Sequence, residues 1–347
     1  MPKRSFFIED SKLTRDQEYI LEKRTGSSFI VKGCAGSGKS ILALWKAKHI
    51  QNEGKGTFQF IVYTKALMQY MLDGISQVGI DSKNVNYHWY WKNKAGKPSS
   101  DYIIVDEAQD FTLEDILEFK SKANKALFLY GDSAQQIYEF IQNRKTISIE
   151  EIYYHTKFPL EQLVFNHRLP KRIARVAQYV NSEGDDLVNR CQNEGTENPK
   201  ILEYLSFEKQ LDMIADIINN RSFVDVGILF RHNETVKQAY HYLTKKGLNV
   251  EAKYDDKKDW TQNKMTLNFN SDNPKLMTYH SSKGLQFEAV FLPECSNENG
   301  DKNPLYVAIT RTYQSLYIMN SGKKSDFFDA VPTNLYDSKI TSNTDLL

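Results

Sequence analysis

Short runs of β-branched and aromatic residues alternate along the chain with longer stretches in which apolar positions recur every three or four residues. FIVKG (29–33) precedes SILALWKAKHIQNE (40–53), FQFIVYT (58–64) precedes KALMQYMLDGISQ (65–77), and DYIIVDE (101–107) precedes LEDILEFKSKAN (113–124), before KALFLYGD (125–132). The short runs have the composition of buried strands and the long ones the period of helices packed on one face. Strand followed by helix, repeated, predicts parallel sheets joined by crossover helices. The alternation restarts with LVFNHR (163–168), PKRIARVAQYVNSEG (170–184), PKILEYLS (199–206), FEKQLDMIADIINNR (207–221), VGILFR (226–231) and NETVKQAYHYLTKKG (233–247). It continues through KLMTYH (275–280), EAVFLPE (288–294), PLYVAITRTY (304–313) and SLYIMN (315–320). Within the second series Ile173, Val176, Ala177 and Val180 share one helical stripe, the mark of a core-facing surface. The simplest architecture is α/β: two tandem domains with mostly parallel sheets, over residues 1–160 and 161–322, parted near Pro159. A polar, loosely held tail is expected over 323–347.

Composition narrows the class without naming it. With 347 residues, 40% hydrophobic and 26% charged, the chain is long enough for two ordinary globular domains. Its 45 basic and 44 acidic residues leave a net charge of +1, so any track for nucleic acid must be local. Cys34, Cys191 and Cys295 lie far apart, without the spacing of a zinc site, and read as reduced thiols. No apolar run approaches the ~20 residues that span a bilayer, so a cytoplasmic protein with no membrane partner is expected.

Two segments carry chemistry. Gly33-Cys34-Ala35-Gly36-Ser37-Gly38-Lys39-Ser40 fits GxxxxGK[ST] and lies between an apolar strand and a helix, where a phosphate-binding loop must be. Such a loop wraps phosphate in backbone N–H groups at a helix N-terminus, with Lys39 for the β/γ oxygens and Ser40 for Mg²⁺. The strand YIIV then ends in Asp106-Glu107-Ala108-Gln109-Asp110. Two acids emerging at the C-terminal edge of a parallel sheet suit Mg²⁺ binding through water by Asp106 and general-base action on a water by Glu107. ATP with Mg²⁺ is the cofactor these segments call for.

The order of further motifs resembles superfamily 1 helicases of the UvrD, Rep and PcrA type, from about residue 13 to residue 318. Leu13-Thr14-Arg15-Asp16-Gln17 looks like the Q motif, whose glutamine, here Gln17, reads adenine. Gly131-Asp132-Ser133-Ala134-Gln135-Gln136-Ile137-Tyr138 looks like GDxxQxIY, with Gln135 as γ-phosphate sensor. Asn166-His167-Arg168 resembles NYR, Tyr279 to Phe287 resembles HxxKGLEF, and Tyr306-Val307-Ala308-Ile309-Thr310-Arg311 is close to YVAxTR. The resemblance implies two RecA-like lobes, with Arg168 and Arg311 acting as arginine fingers from the second. It also implies a single-strand groove formed by Tyr63, Tyr138, Phe140, Thr278 and His280, whose aromatic rings would stack on bases without demanding sequence. The rival fate of those rings is core packing, and for His88-Trp89-Tyr90-Trp91, in the place of a TFHS-like segment, the two fates stand level.

The chain also departs from the family. His167 stands where a tyrosine stacks on adenine and Gln286 where a glutamate meets the ribose, which loosens nucleotide choice without touching phosphate chemistry. About 40 residues separate VYTK from VDEAQD, and about 30 lie between Val250 and His280. Larger relatives insert accessory subdomains at both places. The expected function is an ATPase and translocase on single-stranded DNA, 3′ to 5′ by resemblance, unwinding weakly without a protein partner such as a nuclease or other effector. An RNA-directed motor and a nucleotide-driven regulatory subunit remain as alternatives.

Overall fold

The computed structural model of the protein describes residues 13–23, 25–135, 145–180, 186–255, 267–295, 302–322 and 324–339. The chain divides into two compact units, one ending at His167 and the other beginning at Arg168. Each is built on its own six-stranded sheet, the tandem α/β pair with parallel sheets expected from the alternation.

The first unit holds β1 (Phe29–Gly33), β2 (Phe58–Val62), β3 (Val85–Tyr87), β4 (Ser100–Val105), β5 (Ala123–Gly131) and β6 (Leu160–Leu163). Their order across the sheet is β3-β2-β4-β5-β1-β6, with every neighbouring pair parallel. Parallel neighbours need crossovers, supplied by helices such as Lys39–Asn52, Lys65–Val78 and Leu113–Lys122. The helix over Lys65–Val78 starts where the Thr64 hydroxyl accepts the Leu67 N–H, and it stops at Gly79, whose φ of 75° suits a residue without Cβ. Both faces of the sheet are covered. Phe29, Val31, Phe60, Ile104 and Phe128 point into one core, and Ile30, Ile61, Ile103, Val105 and Leu129 into the other. This is why the strands read as unbroken apolar runs rather than alternating ones.

The stretch Leu160–Leu163, within which the sequence reading puts the domain boundary, belongs as a whole to the first sheet as its edge strand. It runs parallel to β1 from Ile30↔Leu160 to Gly33↔Leu163, and the Ile30 N–H donates to the Pro159 carbonyl at 2.9 Å. Pro159, lacking an N–H, therefore leads into an edge strand, a position that proline tolerates.

The strand β7 (Asn166–Pro170), which spans the division between the units, pairs with β8 (Cys191–Asn193) of the second unit in a short ladder. The main sheet holds β9 (Lys200–Tyr204), β10 (Val226–Phe230), β11 (Glu251–Ala252), β12 (Lys275–Thr278), β13 (Phe287–Leu292) and β14 (Thr312–Ser321). Its order is β11-β12-β10-β13-β14-β9, again wholly parallel. The predicted stripe Ile173, Val176, Ala177 and Val180 is fully buried. PLYVAITRTY divides into a helix, Asn303–Ile309, and the first residues of β14.

The tail is less loose than its polarity suggests. Phe328 is fully buried and Val331 nearly so. The Ile201 N–H donates to the Asp337 carbonyl, and the Asp337 N–H to the Pro199 carbonyl, both at 2.9 Å. Two apolar anchors in a polar segment are enough to seat it against β9, whose edge it partly covers. Among the described residues, no helix is long and apolar enough to cross a membrane.

Candidate functional site

The sheet order of the first unit builds the site. Phosphate-loop strand β1 and acidic-motif strand β4 both flank β5, so three loops leave the C-terminal edge side by side. They carry Gly33–Ser40, Asp106–Glu107 and Asp132–Gln135 respectively. Ligands bind at this edge in open α/β sheets because strand ends and helix N-termini converge there.

The loop from Gly33 to Ser40 is shaped by close approach. Gly38, at φ 93°, precedes the helix Lys39–Asn52, and a Cβ there would lie 2.5 Å from Gln17 Nε2. A Cβ on Gly33 would lie 2.5 Å from Ser37 Oγ and 2.9 Å from Leu163 Cβ. Lys39 is buried, and its ammonium donates to the carbonyls of Gly33 at 2.7 Å and Cys34 at 3.0 Å. Ala35 and Ser37 are buried, and Ser37 Oγ makes no hydrogen bond among the described residues. The Gly36 carbonyl accepts the His167 N–H at 3.2 Å, tying the end of the unit to the loop. Gln17 braces the other side: its Nε2 donates to the Ser37 carbonyl at 2.9 Å and its Oε1 accepts the Thr14 N–H at 3.0 Å within a capping box.

Asp106 is fully buried, and among the described residues neither carboxylate oxygen has a partner at full hydrogen-bond geometry. Burial first, and then the charge of Glu107, pushes its carboxyl above the usual range, while Ser40 and Lys39 lie near enough to oppose the shift in part. A pair of buried carboxylate oxygens beside a serine hydroxyl is a donor set that fits Mg²⁺ held with phosphate oxygens and water, and the nearby lysine suits the phosphate rather than the metal. Among the described residues no three His, Cys, Asp or Glu side chains group as a self-sufficient metal site. Glu107 is also buried and has left-handed backbone, φ 56° and ψ 47°. Gln135, buried, donates through Nε2 to Asp132 Oδ2 at 2.6 Å. The half-buried His167 imidazole is held below its usual pKa by burial, against the opposing charge of Asp16.

The first unit sorts its aromatic candidates by packing. Tyr63 is half-buried, its ring stacked on His88 with centroids 6.3 Å apart and edge-on to Phe111 at 5.4 Å. Within His88–Asn93 both rival fates occur: His88 and Trp91 face inward, whereas Trp89 and Tyr90 are 52% and 45% exposed. Tyr138 and Phe140 lie outside the described residues.

In the second unit Arg168 and Arg311 meet at Thr310. Arg311 Nη2 donates to Thr310 Oγ1 at 3.0 Å and its Nε to the Val307 carbonyl at 2.8 Å, while Arg168 Nη2 makes a long contact of 3.5 Å to the Thr310 carbonyl. Both arginines are buried. Thr278 ends β12 and accepts the Ser281 N–H at 3.2 Å in the turn that carries the half-buried His280. Gln286 is half-buried just before β13. Sequence reasoning did not single out two residues that bond to these candidates, Thr310 between the arginines and Gln109, which donates to Glu107. Both stand inside recognised motifs, but nothing in their spacing says which neighbour they bond.

Comparisons with known proteins fall in line with the motif order. Residues 275–319 match the model of the UvrD-like helicase C-terminal domain, and residues 12–137 that of an AAA domain. A protein of Acanthamoeba polyphaga mimivirus, provisionally named an ATP-dependent DNA helicase, is 24% identical over 241 residues. That match covers 62% of this chain and 34% of the relative, so the chain spans about a third of that protein's length. Among solved structures, the PRRSV helicase is 16% identical with a TM-score of 0.47, over 88% of this chain and 54% of that one. The C-terminal domain of a possible DNA helicase from a Lactobacillus gives a TM-score of 0.38 at 18% identity, over 50% of this chain and 98% of that one. The family matches are consistent with a superfamily 1 helicase.

Proposed function

We propose that this chain, with the motif order of a superfamily 1 helicase, is an ATP-hydrolysing motor core that acts on a single nucleic-acid strand, DNA in the first instance. The observation that carries the reading is the convergence of Lys39, Ser40, Asp106, Glu107 and Gln135 at one sheet edge, with both Asp106 oxygens buried and, among the described residues, without a partner at full hydrogen-bond geometry. When bound, Mg-ATP supplies the phosphoryl group and the metal charge that lowers the barrier to its transfer. The chain's residues do the rest. Gly33, Ala35, Gly36, Ser37 and Gly38 turn main-chain N–H groups toward phosphate, Lys39 balances the charge of its terminal oxygens, and Ser40 with Asp106 holds the metal. Glu107 accepts the proton of the attacking water, and Gln135 orients the terminal phosphate. Arg168 and Arg311 take the finger role, Gln17 and His167 meet the base, and Gln286 the ribose.

On the same reading Tyr63, Tyr138, Phe140, Thr278 and His280 line the strand path, and movement runs 3′ to 5′. The short spacers where relatives carry accessory subdomains favour a core that works beside a protein partner. The test is steady-state ATP hydrolysis with and without single-stranded DNA and RNA. A rise of at least tenfold with DNA supports the motor. A rate indifferent to either strand would leave a nucleotide-driven switch instead.

A further inference from the structure

Gln109 is the fourth residue of the acidic motif Asp106–Asp110. It follows Glu107 in a single 3₁₀ turn, Ala108–Asp110, and is fully buried. Its Nε2 donates to Glu107 Oε2 at 2.5 Å, and its Oε1 accepts the Asp132 N–H at 2.9 Å. Asp132 Oδ2 in turn accepts from Gln135 Nε2 at 2.6 Å. One amide therefore bridges the loop after β4 to the loop after β5.

Two features show that the bridge is built. Glu107 sits in left-handed backbone, which costs a non-glycine residue on the order of 1 kcal/mol and persists only where the surroundings dictate it. Gly131, the last residue of β5, makes room: a Cβ there would lie 2.6 Å from Gln109 Oε1 and 2.4 Å from Ile149 Cδ1. Any larger residue would push the amide off the main chain that it reads.

We propose that Gln109 is the positioning residue that aims the Glu107 carboxylate according to the state of the Gly131–Gln135 segment, so that whatever moves this segment switches the general base. The proposal rests on Glu107 being that base. The route is short and polar. A shift of the Asp132 main chain drags the amide, and the amide carries the carboxylate, because both of its ends are hydrogen-bonded and no water is needed to relay the change. A misplacement of about 1 Å in a group that must face a water is worth roughly 10²-fold in rate. Coupling of strand to hydrolysis would then act on kcat and leave nucleotide affinity alone. A purely structural Gln109 would instead lower stability and leave the split between kcat and KM untouched.

The experiment compares the full chain with Gln109→Met, which keeps the volume and removes both hydrogen bonds, and with Gln109→Glu, which keeps the acceptor for Asp132 and loses the donor to Glu107. The readouts are kcat and KM with and without oligo-dT, affinity for a non-hydrolysable ATP analogue, and the melting temperature. Expected in both variants is a fall in strand-stimulated kcat of roughly 10- to 100-fold, with KM and analogue affinity within about threefold of the parent. On a Glu107→Gln background, single-turnover rates should show no further loss from either change, since both act through one carboxylate. Parental kcat in a folded Gln109→Met protein overturns the proposal, and so does an equal fractional loss on the Glu107→Gln background. Should Gln109→Met fail to fold, the same criteria apply to Gln109→Glu. Full hydrolysis by Glu107→Gln alone would remove the general-base reading itself, whatever Gln109 does.

Discussion

The ammonium of Lys39 is folded onto its own loop, where it donates to the carbonyls of Gly33 and Cys34. A charge kept that way is preorganised, because only its acceptors need exchange when nucleotide arrives. Lys39→Ala should therefore weaken nucleotide binding and abolish turnover, as followed by analogue affinity and phosphate release. Glu107→Gln should bind nucleotide and fail to turn it over. It should also melt no lower than the parent, since it removes a like charge from beside the fully buried Asp106, an effect on the order of 1 kcal/mol. A Glu107→Gln protein that melts several degrees lower would show that the carboxylate stabilises the fold. In that case the trade of stability for activity would not apply here.

At the scale of the element, the helix Leu113–Lys122 illustrates how a buried acid is made tolerable. Thr112 and Asp115 form a capping box. Asp115 also faces Lys92 Nζ at 2.8 Å and His88 Nε2 at 3.3 Å, although its side chain is 1% exposed. Burial alone would raise its pKa. The contacts from His88 and Lys92, with the Thr112 hydroxyl, outweigh burial and hold the carboxyl well below the usual carboxylate range. With the folded pKa depressed, the stabilisation is fully present above the unfolded value of about 4 and is lost as pH falls toward the folded one. Asp115→Asn should thus cost about 1–3 kcal/mol at pH 7, and progressively less below about pH 4, in urea titrations run across that range. A constant cost at all pH values would mean that the carboxylate's charge has no part in it. The same helix explains the divided fate of His88-Trp89-Tyr90-Trp91. Only the side chains on its face, His88 and Trp91, pack with Phe119, at ring separations of 5.8 and 5.1 Å.

For the whole molecule, the spacers set the expectation. Between β2 and β4 the chain has room only for β3 and the helices Lys65–Val78 and His88–Asn93, with one short 3₁₀ turn. Opening a duplex costs on average about 1.4 kcal/mol of stacking per base-pair step, and the junction must be held while the motor resets. Nothing of subdomain size is inserted there to hold it. The chain should hydrolyse ATP when given single-stranded DNA yet displace a long strand from a 3′-tailed duplex poorly, with displacement appearing once a partner is added. Efficient displacement by a verified monomer would overturn this. Local residue patterns set the parts. The GxxxxGKS loop, the acidic pair and the order of motifs are set by residue type at short spacing, and the central strands by buried apolar runs, so these are legible without coordinates, whereas the short strands Val85–Tyr87, Cys191–Asn193 and Glu251–Ala252 carry no such run. Tertiary structure alone decided the arrangement. Strand order β4-β5-β1 is what brings residues 33–40, 106–107 and 132–135 together, and neither that order nor the assignment of Leu160–Leu163 to the first sheet is written in any local pattern. The same holds for the Gln109 bridge and for Thr310 between two arginines. Each depends on which surfaces are closed against each other, a choice made by the chain as a whole when it buries its sheets on both faces.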